Sequence, residues 1–323
     1  MTLAQDGGVT PGAIVRLALA AMGTRFELVL LGDDEARLRA AGEAALDEVA
    51  WWHRRLSRFE RDSDVSFIAR EAHLRDPSNP LTLDPDLFDL LLRCERARGE
   101  TRGAFDVRLG GAMDAWIGGG RPAPPSEIPE MVLDPVGRTL GVRSGAALRL
   151  DLGGVAKGFA LDGAAATLVE SGVRNALLHA GTSSVIAIGD GPAGGGWKVR
   201  IDGRDGGVPF DVCLRSRAMS ISSSAGRTAE GGGGHILDPR EGRSVPLGTT
   251  VAILADHGPG AAVECEIWST ALAVDPRLLD DVPSTMTTIV RRAAAHEWSV
   301  RHPRVARKQS TTDAADLAAM EIS

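Results

Sequence analysis

Residues 151–162 read Asp-Leu-Gly-Gly-Val-Ala-Lys-Gly-Phe-Ala-Leu-Asp, and their types and spacing suit one kind of chemistry. An alternating segment, Ala-Leu-Arg-Leu-Asp-Leu (147–152), runs into the glycine pair, and a small-residue pattern over 160–169 leaves it. This predicts a strand, a glycine turn and a helix start. Glycine lets a ligand come close to the backbone, and the amides at a helix start lack partners within the helix, so they favour an anion. Lys157 adds a mobile positive charge. The combination suits a phosphate or pyrophosphate, although the same turn serves plain close packing. It is neither Gly-x4-Gly-Lys-Ser/Thr nor Gly-x-Gly-x-x-Gly. Two further groups could do chemistry. Glu266 and Thr270 stand four apart on a predicted helix and share a face, as ordinary solvated helix residues also do. His235 follows four glycines and precedes an Asp238-Pro239 turn, where it is either a turn residue or an imidazole able to take a proton near neutral pH.

Several elements must position these groups. A strand is expected over 25–31. A helix follows over 34–56, because Leu38, Ala41, Ala45, Val49, Trp52 and Leu56 recur at steps of three and four and Asp33 or Asp34 can cap it. A second helix fits 85–98, with Leu87, Leu90, Leu91 and Cys94 inward and Pro85 in its first turn. Residues 118–138, rich in Gly and Pro, read as a long loop. Strand-like runs follow at 176–188, 197–201, 210–214 and 249–255, with glycine turns at 194–196 and 231–234, and a third helix is expected over 261–273. Helices first and strands later predict an α+β fold.

The 323 residues, 43% hydrophobic, allow one large domain or two ordinary ones. A net charge of −7 and no basic run argue against a nucleic-acid partner. Three lysines, Lys157, Lys198 and Lys308, occur among 36 basic residues, so Lys157 stands out. Cys94, Cys213 and Cys265 show no zinc or disulfide spacing, which fits a reducing compartment. No stretch of 18 apolar residues predicts a membrane span. The apolar stretch at 13–21 carries Arg16 and has no lipidation cysteine after it. With no signal peptide legible, a cytoplasmic location is expected.

Six motifs stand in order along the chain: Ala-Met-Gly-Thr-Arg-Phe-Glu (21–27), Leu-Ser-Arg-Phe-Glu-Arg-Asp-Ser-Asp-Val-Ser (56–66), Gly-Ala-Phe-Asp-Val-Arg-Leu-Gly (103–110) with Trp116, the glycine turn at 151, His-Ile-Leu-Asp-Pro-Arg-Glu-Gly (235–242) and Glu-Ile-Trp-Ser-Thr-Ala-Leu (266–272). Together they resemble the ApbE family of FAD:protein FMN transferases, over residues 21–273. The resemblance implies a single α+β unit over 13–300, with a central mixed sheet flanked by helices and built on two similar α/β halves. A polar tail, expected to be poorly ordered, would follow over 301–323. It further implies FAD as donor and Mg²⁺ on the pyrophosphate. The acceptor would be a Thr or Ser of a partner protein. His235 would be the proton acceptor. Met22, Ser57, Arg58, Phe59, Asp106, Lys157 and Phe159 would contact the cofactor. The metal would take the Ala156 carbonyl and the Glu266 and Thr270 side chains, with Ser269 adjacent.

The chain departs from the family pattern at four places. Glu266 stands for the usual Asp, and His179-Ala180-Gly181-Thr182 for Asn-x-Gly-Gly. Ser220-Ile221-Ser222-Ser223 replaces Ser-Thr-Ser-Gly, and Ala69 replaces a common Asn. Transfer to a protein hydroxyl, hydrolysis of FAD to FMN and AMP, and flavin binding without turnover all remain open at this level. Asp106 reads as an unpaired aspartate in need of a donor, which a ribose or adenine would supply.

Overall fold

The structure, a computed structural model, describes residues 12–76, 78–118, 128–143, 146–203, 207–224, 234–292 and 297–303. β1 (Ala13–Ala21) and β2 (Thr24–Gly32) form a hairpin closed by Met22 and Gly23. Both turn residues have positive φ, 51° and 67°, the backbone twist that suits a two-residue hairpin turn. The stretch at 13–21 is therefore an edge strand, which its lack of strict alternation concealed. α1 (Glu35–Leu56) follows, capped by Asp34, whose carboxylate accepts the Arg37 N–H at 3.0 Å. All six apolar positions expected on its inner face are buried.

Ser63 caps α2 (Asp64–Glu71), and β3 (Leu81–Thr82) leads to α3 (Pro85–Glu100), which opens on Pro85 beneath an Asp84 cap. α4 (Gly110–Ile117) comes next, then a hairpin of β4 (Met131–Asp134) and β5 (Thr139–Val142), which joins β3 in a small sheet ordered β3-β5-β4. β4 corrects the long loop expected over 118–138; residues 119–127 of that loop lie outside the described residues. The strand expected at 147–152 is also corrected. Its alternation is real, with Leu148, Leu150 and Leu152 buried. Its backbone pairs with a turn rather than a sheet: Gly110 donates to the Arg149 carbonyl at 3.0 Å and Asp151 to that of Val107 at 2.7 Å.

The remaining elements are α5 (Ala156–Glu170), β6 (Asn175–Ala180), β7 (Ser184–Ile188), β8 (Trp197–Gly203), β9 (Gly207–Leu214), β10 (Arg217–Ser223), β11 (Leu237–Asp238), β12 (Arg243–Ser244), β13 (Thr250–Asp256), α6 (Ala261–Val274), β14 (Thr287–Arg291) and β15 (Ser299–Arg301). The main sheet runs β1-β2-β6-β7-β10-β13-β14-β15, and every neighbouring pair is antiparallel. The fold is α+β as expected, but the sheet is antiparallel rather than mixed. A helix laid on an antiparallel strand pair occurs twice, α1 on β1 and β2, and α6 on β10 and β13.

Both faces of this sheet are covered. Phe26, Leu28 and Leu30 of β2 join the core beneath α1, α5 and α6, whereas Val29 and Leu31 pack with Trp197, Val199, Ile201 and Leu214 of the β8–β9 hairpin. Burial on both sides explains why β6 and β7 read as continuous apolar runs. Among the described residues no helix is long and apolar enough to cross a membrane. The tail at 304–323 and the glycines at 231–233 lie outside the described residues. All three cysteines are free; Cys94 and Cys265 are buried and Cys213 is exposed.

Candidate functional site

A cleft of about 770 Å³ opens where the β1–β2 turn, the end of α1, α4, the start of α5, the end of β10 and the middle of α6 converge. It is lined by ten of the twelve residues singled out above: Met22, Ser57, Arg58, Phe59, Asp106, Ala156, Lys157, His235, Glu266 and Thr270. The other two lie elsewhere. Phe159 sits one turn into α5 with its ring set edge-on to Trp52, centroids 4.7 Å apart. Ser269 is fully buried and holds the cleft wall from behind, bonded to the Ser220 hydroxyl at 3.2 Å and the Ser222 hydroxyl at 2.9 Å.

The glycine turn is built as the sequence suggests, but its amides are partly spoken for. Asp151 accepts the Gly153 N–H at 2.8 Å. The Ala156 amide returns to the Leu152 carbonyl at 2.7 Å. The Gly158 amide donates to Glu266 Oε2, also at 2.8 Å. No side chain on α5 itself caps that helix, so the Glu266 carboxylate does so from α6. α6 in turn starts at Gly260 without a cap of its own, and Asp162 of α5 accepts the Ala262 and Val263 amides, each at 3.1 Å. The two helices thus cap one another. They can lie this close because position 158 is glycine: a Cβ there would fall 2.8 Å from the Ala262 carbonyl.

Glu266 is only 3% exposed. Besides the Gly158 amide, it accepts the Ser184 hydroxyl and lies 3.6 Å from the Lys157 ammonium. Lys157 also donates to the Gly153 carbonyl at 3.0 Å. Thr270 Oγ1 lies 3.3 Å from the Ser222 hydroxyl. These donors are oxygens, with one carboxylate among them, and among the described residues no group of three or more His, Cys, Asp or Glu gathers to hold a metal. A hard cation that keeps water and phosphate ligands, such as Mg²⁺, fits this set; a zinc-type site does not.

Asp106 is corrected. It is not unpaired: the Arg108 guanidinium grips it at 2.6 and 2.9 Å and the Arg108 amide donates at 2.9 Å. The same Asp-x-Arg fork recurs at Asp238–Arg240 and Asp275–Arg277. Arg240 also bonds Asp275 at 2.8 Å, tying the His235 loop to the end of α6. Arg277 and Arg240 together hold the Asp275 carboxyl well below the usual carboxylate range. Also in the cleft lining, Arg58 pairs with Asp151 at 3.0 Å and with Asp114, and its guanidinium lies over the Phe59 ring. Phe59 is 76% exposed, a large apolar side chain left at a cleft mouth. Ser57 spends its hydroxyl on the Phe59 and Glu60 amides, both at 3.3 Å.

Residues not assigned from sequence also line the cleft, among them His53, Thr182, Ser222 and Trp116. The Trp116 indole N–H is buried and has no hydrogen-bond partner among the described residues. An orphaned donor in a cleft wall is what a ligand acceptor would satisfy. Its position within one of the six motifs was the available signal.

Comparison with known proteins follows the same line. A model of the ApbE family matches residues 22–279. An FAD:protein FMN transferase of Rhodobacter capsulatus is 34% identical over 194 residues, 54% of this chain and 36% of that relative, so the chain spans little more than a third of its length. One from Klebsiella pneumoniae is 26% identical over 299 residues, covering 83% and 82% of the two chains. Among solved structures, the ApbE protein of Thermotoga maritima superposes with a TM-score of 0.74 at 24% identity, covering 90% of this chain and 97% of that one. The flavin transferase ApbE of Vibrio cholerae gives 0.70 at 20% identity, over 90% and 96%. The last two likenesses establish the fold.

Proposed function

The chain belongs to the ApbE family, and we propose that, like the Rhodobacter capsulatus and Klebsiella pneumoniae relatives named FAD:protein FMN transferase, it moves FMN from FAD to a Thr or Ser hydroxyl of an acceptor protein. One observation carries the reading. Residues from six separated motifs line one cleft, with apolar surface at Met22 and Phe59 and with Lys157, His235, Glu266 and Thr270 on its polar wall. A flavin needs the first kind of wall and a diphosphate the second.

In the step, the acceptor oxygen attacks the phosphorus on the FMN side of the diphosphate. The bond from that phosphorus to the bridging oxygen breaks, and AMP leaves. His235 takes the hydroxyl proton, and Lys157, held beside Glu266, places positive charge near the start of α5. The Ala156 carbonyl, Glu266 and Thr270 would hold Mg²⁺, which when bound supplies neutralisation of diphosphate charge. Trp116 and the exposed Phe59 ring orient the dinucleotide. Water in place of the acceptor would give FMN and AMP from the same site.

The test is incubation with FAD, Mg²⁺ and candidate acceptor proteins, followed by intact-mass analysis and AMP assay. A covalent FMN increment on the acceptor with stoichiometric AMP supports transfer. AMP and free FMN without acceptor support hydrolysis, and FAD retained uncleaved removes both.

A further inference from the structure

We propose that His53 is a positioning residue of the cleft, its imidazole holding the Met22–Gly23 turn in the one conformation that presents Met22 to the ligand. The proposal rests on the dinucleotide reading above. His53 lies in the last turn of α1 and lines both the main cleft and a smaller adjoining cavity formed by residues 20–24. Its Nδ1 accepts the Met22 N–H at 3.2 Å. An acceptor at Nδ1 requires the neutral ring with its proton on Nε2.

The turn needs such a hold. A two-residue hairpin turn with both centres at positive φ selects Asn, Asp or Gly. Gly23 meets this freely, but Met22, at φ 51°, carries a Cβ in a region that side chains rarely adopt and offers its own backbone no polar group. Support comes from two sides. Thr24 packs against Gly181 so tightly that a Cβ at 181 would fall 2.2 Å from Thr24 Oγ1, and the Gly181 amide donates to the Arg25 carbonyl at 2.8 Å. His53 supplies the other side, through the amide of the strained residue itself. A side chain kept at a strained position where it lines a cleft is the signature of a backbone shaped for a ligand rather than for stability.

The experiment compares wild type with His53→Ala, His53→Leu and His53→Asn. Leucine keeps bulk without an acceptor, and asparagine restores a carbonyl acceptor. Two readouts are taken: amide hydrogen exchange of Met22 in the ligand-free protein, and KM and kcat for FAD cleavage. With His53→Ala or His53→Leu, Met22 exchange accelerates and KM for FAD rises about tenfold, the scale of one lost hydrogen bond, while kcat moves less than twofold. His53→Asn recovers most of both. Unchanged Met22 exchange, equal loss in all three variants, or a loss confined to kcat overturns the proposal. A wild-type protein that binds no FAD overturns the dinucleotide reading instead, and the exchange arm still decides the link between His53 and Met22.

Discussion

His235→Ala removes the ring assigned to take the acceptor proton, so FMN transfer falls by about 10²–10⁴-fold. FAD still binds, and flavin titration set against AMP release separates the two. Trp116→Phe keeps a smaller aromatic ring and deletes a donor that has no hydrogen-bond partner among the described residues. A buried donor left unsatisfied costs about 1–3 kcal/mol, which offsets the packing lost with the smaller ring, so the ligand-free variant melts close to wild type, while the dissociation constant for FAD rises roughly tenfold. Calorimetry and fluorescence titration on one preparation check both. These single residues were unevenly legible. His235 and Glu266 could be placed because each sits in a motif whose order along the chain is specific. Asp106 lines the cleft, but its expected lack of a partner is overturned, because a fork between residues two apart depends on a turn that no periodicity reveals. His53 gives no signal in the sequence, because its partner is a backbone amide 31 residues away.

Among the elements, α5 and α6 form the coupled pair, each start capped by a carboxylate of the other. Asp162 is pushed up to about 7 by burial, against the pull of the Ala262 and Val263 amides. Between about pH 4 and pH 7 the folded protein therefore holds a proton that the unfolded chain has released. Stability falls as pH rises through this window and levels above it. Thermal melts from pH 4 to pH 8 should show that slope, and Asp162→Asn should flatten it. α1 and α3 could be read from sequence almost to the residue, because caps and three-four spacing are local, and α6 was expected within a residue of its bounds; α5 was read only over 160–169 of Ala156–Glu170, and α2 and α4 were not read. The mutual capping could not, since it joins residues about a hundred positions apart. The segment at 147–152 failed for a related reason: alternation reports which side is buried, not which backbone supplies the hydrogen bonds.

At the scale of the whole molecule, the antiparallel sheet is a partition between two hydrophobic layers, helices on one side and the β8–β9 hairpin on the other. Trp197 is the largest side chain of the hairpin layer, buried with its indole N–H on the Ile188 carbonyl at 3.3 Å. Trp197→Ala should lower stability by about 3–5 kcal/mol, measured by urea denaturation. Arg200, Ile201 and Asp202 of the same hairpin reach the cleft, so loosening the layer should also weaken FAD binding. The order of helices and strands along the sequence announced α+β, but not a second layer, because a hairpin and a sheet strand present the same alternation. The cleft wall begins at Met22 and is completed by Thr270. A nascent chain emerging from the ribosome would therefore own nearly every contact yet grip no nucleotide until α6 swings in. Everything from Met22 through Thr270 must be made before occupancy can begin, and a fragment cut anywhere before α6 should be blind to flavin rather than a weaker version of the whole.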